Sequence, residues 1–92
     1  MNEQEFQTAA QAVATMYSKP GCYQCKASAR AFAKDDLPLN VVDVSADPAA
    51  AELIDGLGHR SVPVIIITAT GEHWSGHRPD RIAAVTDQAK VA

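Results

Sequence analysis

The sequence predicts an α/β fold in which four strands form one mixed sheet, with helices packed on it in the order β-α-β-α-β-β-α. Three observations lead to this prediction. Short β-branched runs alternate with alanine-rich segments of helical character. The helical crossover between the first two strands implies that they pair in parallel, because parallel strands need such a connection. A tight turn at Gly71 implies that the last two strands form an antiparallel hairpin.

The first three elements follow from the apolar pattern and the turn residues between them. Val13–Tyr17 is a short predicted strand that stops at the turn formed by Pro20 and Gly21. From about Cys22 to Lys34 the spacing predicts a helix, and Leu39–Val44 is the second predicted strand. The helical residues predicted to face inward are Ala29, Phe32 and Ala33.

The second helix has start and stop signals of its own. Asp47 suits an N-cap and Pro48 suits the first helical position, because that position needs no backbone N–H. The helix is predicted over Ala49–Leu57 and ends at Gly58, a residue favoured just beyond helix C-termini.

The last three elements are a buried strand, a short strand and a helix. Val62–Thr68 is apolar and rich in β-branched residues, which predicts a buried strand. Thr70 and Gly71 then turn the chain into a short strand around Glu72–Trp74. Pro79 opens a final helix that runs to about Lys90.

Length, composition and charge exclude several classes of function. A chain of 92 residues allows one domain, 1–92, in which residues 1–11 are an N-terminal extension of unknown role. Hydrophobic residues make up 47 % of the chain, but many are alanine, so we expect no large enclosed pocket. The net charge of −3 and an aromatic content of 5 % are unlike the basic, aromatic-rich surfaces that bind nucleic acid.

The N-terminal residues and the longest apolar run bear on the compartment. The chain starts with acidic residues where a signal peptide is basic, and Val64–Ile67 is far too short to span a membrane. We therefore expect a cytoplasmic protein with no membrane contact. Thiols are kept reduced in the cytoplasm, so a cysteine pair there is more often catalytic or metal-binding than structural.

The cysteine pair of Cys22-Tyr23-Gln24-Cys25 is the sharpest chemical signal in the sequence. The C-x-x-C spacing places the two sulfurs one helical turn apart, close enough to form a small disulfide ring. The pair lies at the predicted start of a helix, where free backbone N–H groups and the helix dipole stabilise a thiolate. Such a pair beside a β-α-β pattern predicts thiol–disulfide redox chemistry.

Two other interpretations of the cysteines compete with redox chemistry. His73 and His77 provide an H-x₃-H pattern that could complete a zinc site with the cysteines. However, 47 residues separate Cys25 from His73, against about 12–15 in a zinc finger. Cysteines buried inertly in the core are disfavoured because a helix start after a Pro-Gly turn is normally exposed. Redox use is therefore the favoured interpretation.

Several motifs together resemble the glutaredoxin branch of the thioredoxin superfamily, and the resemblance covers about residues 13–91. Within that branch, the segment from Trp74 to Pro79 is similar to the W-S-G-F-R-P motif of NrdH-redoxins, with His77 in place of phenylalanine. Gln24 matches the residue before their second cysteine. The resemblance implies the thioredoxin fold. The other motifs that carry it are Tyr17-Ser18-Lys19-Pro20-Gly21-Cys22-x-x-Cys25 and Ser61-Val62-Pro63.

The resemblance also implies a role for each matching residue. Cys22 would be the attacking thiolate and Cys25 the resolving thiol. Pro63 would be a cis-proline facing the cysteines, with Val62 offering its backbone to an incoming strand. The further residues implied in partner recognition are Tyr23, Gln24, Trp74, Ser75, Gly76, His77, Arg78 and Pro79. His77 is either an ordinary exposed loop histidine or makes this surface more polar and pH-sensitive.

The partners and cofactors implied by the resemblance are those of NrdH-redoxins. They take electrons from thioredoxin reductase and pass them to class Ib ribonucleotide reductase, and we expect a monomer that needs no bound cofactor or metal. Three alternatives stay open. One is a glutathione-dependent glutaredoxin that shares the fold and Cys22. Another is a non-enzymatic module in which the cysteine pair holds zinc or an iron–sulfur cluster. The third is a protein-specific redox adaptor outside nucleotide metabolism.

Overall fold

The computed structural model describes residues 12–91, and over that range it has the predicted order of strands and helices. The prediction for residues 1–11 lies outside the described residues. The α/β prediction is confirmed, with every element starting within about two residues of its predicted position. The elements are β1 (Ala14–Ser18), α1 (Tyr23–Lys34), β2 (Leu39–Asp43), α2 (Pro48–Gly56), β3 (Val64–Ile67), β4 (His73–Ser75) and α3 (Pro79–Val91).

The four strands form one mixed sheet in the order β2-β1-β3-β4. Strand β1 pairs with β2 in parallel and with β3 antiparallel, and β3 pairs with β4 antiparallel, so the predicted crossover and hairpin are both confirmed. The hairpin closes through the Gly71 N–H, which donates to Ile67 O at 2.8 Å. The order puts β1 and β3 in the centre of the sheet, where their apolar side chains are covered.

The helix starts are fixed by side chains that accept hydrogen bonds from free backbone N–H groups. Asp47 caps α2 by accepting from the Ala50 N–H at 3.1 Å, and Pro48 opens the helix, as the sequence predicts. In α1 the cap is Cys22, whose extended backbone turns the chain out of β1 and into the helix. The cysteine pair therefore lies where strand β1 leads into helix α1.

The core lies between the sheet and helices α1 and α3. Its centre is formed by Phe32 and Ile65, whose side chains are fully buried. The predicted inward face of α1 is partly wrong, because Ala33 is exposed and Ala29 is only partly buried. The buried residues of the helix are Cys25, Ser28 and Phe32, spaced three and four positions apart. The polar Ser28 interrupts the apolar pattern on which that prediction relied.

Within residues 12–91, no helix is both long and apolar enough to cross a membrane.

Candidate active site

Cys22 and Cys25 form a disulfide at the start of α1. Their Cα atoms are 5.2 Å apart, within the range of about 4.4–6.8 Å that a disulfide requires. The helix brings them together because residues three positions apart lie one above the other on the same face. The predicted pair is therefore held at bonding distance by the first turn of α1, with Cys22 as its extended N-cap and Cys25 within the helix.

The Cys22 sulfur is also the N-cap of the helix. It accepts a hydrogen bond from the Cys25 backbone N–H at 3.2 Å. On reduction the same N–H and the helix dipole point at a sulfur that is free to carry negative charge. The geometry therefore stabilises a thiolate on Cys22, and Cys25 lies one turn further into the protein.

Both cysteines are less accessible than the sequence suggests. A helix start after a Pro-Gly turn is normally exposed, but Cys22 is 8 % exposed and Cys25 is 3 % exposed. That expectation is wrong because both sulfurs join the hydrophobic cluster around Phe32 and Trp74. Tyr23 and Gln24, between the cysteines, are exposed, and Tyr23 is 85 % exposed. The surface beside the cysteines is therefore formed mainly by Tyr23 and Gln24.

The Val62–Pro63 peptide bond is cis, as the resemblance implies. Pro63 is buried and Val62 packs against the cluster that contains both cysteines. The Pro63 carbonyl accepts a hydrogen bond from the Gly76 N–H at 2.8 Å. The proline turn is thereby attached to the segment that follows β4.

Trp74 belongs to the core and not to the exposed surface that the sequence suggests. It lies opposite Ile65 in the sheet and is 5 % exposed, while its neighbours His73 and Ser75 are partly buried. Strand β4 alternates, so its central side chain points inward. Within the described residues the indole N–H has no hydrogen-bond partner, and the Arg81 guanidinium lies 5.4 Å from the ring centroid.

The accessible part of the predicted recognition segment therefore starts after Trp74. Gly76 has a φ of +84°, in the left-handed region that favours glycine. This turn directs the backbone toward α1, where the His77 N–H donates to Gln24 Oε1 at 3.3 Å. Arg78 and Pro79 follow and are exposed. The structure thus brings the cysteine helix, the proline turn and the segment 76–79 together as one connected surface.

His77 is not an ordinary exposed loop histidine. It is partly buried, and its Nδ1 lies 2.8 Å from the hydroxyl oxygen of Ser28, a fully buried residue of α1. Sequence reasoning missed Ser28, although a serine three residues after Cys25 on the core-facing side of the helix is a detectable signal. Because the two residues are 49 positions apart, no local sequence pattern predicts their contact.

The two histidines of the zinc alternative have different partners. His73 Nδ1 lies 2.7 Å from His59 Nε2, while His77 contacts Ser28. Among residues 12–91, no three His, Cys, Asp or Glu side chains are grouped in a way that could hold a metal ion.

The charged side chains at the start of α3 each lie close to a side chain of opposite charge. Arg78 donates to both carboxylate oxygens of Asp80, at 3.3 and 3.1 Å. The hydrogen bond from Arg78 lowers the pKa of Asp80 below its usual value. Arg81 lies 3.7 Å from a Glu72 oxygen. The surface around segment 76–79 is therefore polar and mixed in sign.

Comparison with known proteins supports this geometry. Residues 14–74 match the glutaredoxin family. The chain is 38 % identical over 68 residues to the glutaredoxin-like protein NrdH of Escherichia coli strain K12, covering 74 % of this chain and 82 % of that protein. It is 32 % identical to the NrdH protein of Lactococcus lactis, covering 75 % of this chain and 93 % of the relative.

Solved structures agree with the sequence comparison. The NrdH-redoxin of Escherichia coli, described as having a thioredoxin-like activity profile, superimposes with a TM-score of 0.72 at 37 % identity. That match covers 77 % of this chain and 91 % of the other. A glutaredoxin from Archaeoglobus fulgidus shares the fold, with a TM-score of 0.65 at 19 % identity, covering 92 % of this chain and 95 % of the other. The chain therefore belongs to the glutaredoxin family and is an NrdH-type thiol–disulfide oxidoreductase with a redox-active cysteine pair.

Proposed function

We propose that Cys22 is the attacking cysteine and Cys25 the resolving cysteine of a dithiol carrier. The Cys22 thiolate attacks a disulfide of a partner protein, and one partner thiolate leaves as a mixed disulfide forms. Cys25 then attacks Cys22, the Cys22–Cys25 bond forms, and the second partner thiolate leaves. The partner gains two electrons and this protein becomes oxidised. The observation that carries the proposal is the Cys25 N–H bonded to Cys22 Sγ at 3.2 Å.

Single-cysteine variants test this order of events. Cys25→Ser is expected to stop after the first attack and to accumulate a mixed disulfide, seen as an added partner mass on a non-reducing gel. Cys22→Ser is expected to be inactive and to form no adduct, although it still carries one cysteine. Equal adduct formation by both variants, or turnover by Cys25→Ser at the wild-type rate, would contradict the assignment.

The partners we propose are thioredoxin reductase as electron donor and class Ib ribonucleotide reductase as acceptor, for a cytoplasmic monomer without a resident cofactor. The thioredoxin-like activity profile of the Escherichia coli relative supports this choice of donor. Docking would use Tyr23 and Gln24, the Val62–Pro63 turn, and segment 76–79 with Ser75, while buried Trp74 supports that surface from below. The incoming chain would pair with the Val62 backbone beside the disulfide.

A reconstituted electron chain tests these partners. NADPH, thioredoxin reductase, this protein and a class Ib ribonucleotide reductase are expected to produce deoxyribonucleotide at a rate that depends on the concentration of this protein. The matched control is the Cys22→Ser variant. Product formation that is no faster with the wild type than with that variant would refute the proposed acceptor.

A glutathione-dependent function is the second candidate, and one observation favours it. A shallow groove of about 320 Å³ lies beside Val62, and its lining includes the cationic residues Lys19 and Arg60. These two cations suit the carboxylates of a small anionic thiol, whereas Asp55 in the same lining opposes them. Reduction by glutathione at a rate matching the reductase would favour this candidate over the thioredoxin reductase route.

A further inference from the structure

Ser28 is a polar residue on the buried face of the helix that carries the cysteines. It has no exposed surface, and the other buried residues of this face are Cys25 and Phe32. Within the described residues, the hydrogen-bond partner of its hydroxyl is His77, whose Nδ1 lies 2.8 Å away. If the His77 ring moved outward, the hydroxyl would lose its partner inside the core, which is unfavourable. Ser28 therefore favours one position of the His77 ring.

The backbone of His77 is attached to the same helix. Its N–H donates to Gln24 Oε1 at 3.3 Å. Gln24 and Ser28 are four positions apart on α1, so they are neighbours along one side of the helix. Gln24 is exposed and Ser28 is buried. The helix therefore holds His77 at two depths, with Gln24 bonding the backbone near the surface and Ser28 bonding the ring in the core.

The chain on either side of His77 is also held. The Gly76 N–H donates to the Pro63 carbonyl at 2.8 Å, which attaches the chain before His77 to the proline turn. The Arg78 carbonyl accepts from the Ile82 N–H at 3.1 Å, so the hydrogen bonding of α3 begins directly after His77. His77 is thus the residue at which the chain between the proline turn and α3 is attached to α1.

We propose that Ser28 is a positioning residue for the binding of protein disulfides, an inference that rests on the proposed docking role of segment 76–79. Its hydrogen bond to the His77 ring draws this segment against α1 and keeps it at a fixed place beside the cysteines. Ser28 cannot touch a partner protein itself, because it has no exposed surface. It acts through His77 on docking and leaves the reaction of the sulfurs unchanged.

Two disulfide probes of different size separate docking from sulfur chemistry. The protein is reduced with dithiothreitol, freed of it, and mixed with insulin as a protein disulfide or with dithiobis(nitrobenzoate) as a small one. The loss of protein thiols gives a second-order rate constant for each probe. The small probe reacts with the sulfurs without docking on segment 76–79, so a defect in docking alone slows the reaction with insulin only.

The main variant is Ser28→Ala, which removes the buried hydroxyl. We expect the rate constant with insulin to fall by about three- to tenfold, the factor that corresponds to one lost hydrogen bond of ordinary strength. The rate constant with the small probe is expected to stay unchanged. The matched control is Thr86→Val, because Thr86 is another buried helical residue whose hydroxyl donates to a distant side chain, Asp35 Oδ2, at 2.9 Å. It is expected to lose stability as Ser28→Ala does and to keep both rates.

Substitutions of His77 test the hydrogen bond itself. The amide of His77→Asn can place a polar atom near the position of Nδ1, whereas His77→Ala has no such atom. We expect His77→Asn to retain most of the insulin rate and His77→Ala to lose it. If the two side chains act through one contact, the double variant Ser28→Ala/His77→Ala is no slower than His77→Ala alone. Additive losses in the double variant would overturn the proposal.

Arg78→Ala separates failure of this inference from failure of the proposed docking surface. Arg78 is an exposed residue of segment 76–79, so its truncation is expected to slow insulin reduction. If Arg78→Ala slows it while Ser28→Ala has no more effect than Thr86→Val, the positioning role of Ser28 is overturned and the docking surface stands. If neither Arg78→Ala nor Ser28→Ala slows it, the docking surface is wrong as well.

Discussion

Gly76 offers a direct test of how the proposed docking surface, segment 76–79, is held beside the disulfide. Its φ of +84° lies in a region that costs a residue with a Cβ about 1–2 kcal/mol. A Cβ added there would meet Gln24 Oε1 at 3.6 Å, an ordinary contact, so crowding adds little. We expect Gly76→Ala to lower the free energy of unfolding by about 1–2 kcal/mol, and the melting temperature by about 4–8 °C for each kcal/mol.

The same change is also expected to slow electron transfer to a protein disulfide. The Gly76 N–H bonds to Pro63 O at 2.8 Å and the next N–H bonds to Gln24, so a shifted backbone moves the surface relative to the cysteines. The matched control is Gly71→Ala, in the β3–β4 turn, with a φ of +78° and nothing within 4 Å of an added Cβ. It is expected to lose similar stability and to keep its rate.

Urea denaturation and second-order rates with a disulfide-containing partner protein measure the two effects. Two results would refute this reasoning. If Gly76→Ala were as stable as the wild type, the left-handed backbone would not be enforced by the fold. If Gly71→Ala lost as much activity as Gly76→Ala, the loss would come from general destabilisation and not from the surface at the disulfide.

Three further predictions concern the core, a helix cap and an exposed carboxylate. Phe32 is fully buried, so Phe32→Ala is expected to remove about 3–5 kcal/mol, and a loss below about 1 kcal/mol in urea would contradict the assigned core. Asp47→Ala removes the cap of α2 and is expected to cost about 1 kcal/mol, whereas Asp47→Asn should retain most of it. The hydrogen bond from the Ser45 hydroxyl lowers the pKa of Asp43 in the folded protein. This carboxylate therefore stabilises the fold at pH values above its pKa in the unfolded chain, and the stabilisation is lost as the pH falls through its pKa in the folded protein. Ser45→Ala should raise the pKa of Asp43 in a carboxyl NMR titration, and an unchanged titration would show that this hydrogen bond is absent.

Local patterns account for most of the fold. The N-cap at Asp47, the hairpin turn at Gly71 and the β-branched run that became β3 each depend on neighbours within a few residues, so their signals are visible in the sequence. Local patterns do not predict the order of the strands in the sheet. The placement of β1 between β2 and β3 depends on how distant segments pack.

The site was predictable to the extent that its residues are local in sequence. The C-x-x-C pair needs one helical turn, and the structure places it at bonding distance. The motif around Trp74 predicts an exposed recognition residue, yet alternation in a three-residue strand points its side chain into the core. The contact between Ser28 and His77 spans 49 positions, and a serine on an apolar helix face gave no indication of its partner.

The choice of electron donor distinguishes a thioredoxin-reductase-dependent carrier from a glutathione-dependent glutaredoxin. The oxidised protein, with its Cys22–Cys25 bond, is mixed in parallel with NADPH and thioredoxin reductase, or with NADPH, glutathione and glutathione reductase. NADPH consumption and the appearance of free thiols are followed in both, with Cys22→Ser as the control. We expect rapid reduction by thioredoxin reductase and slow reduction by glutathione. Rapid reduction by glutathione with none by thioredoxin reductase would contradict the proposed electron donor.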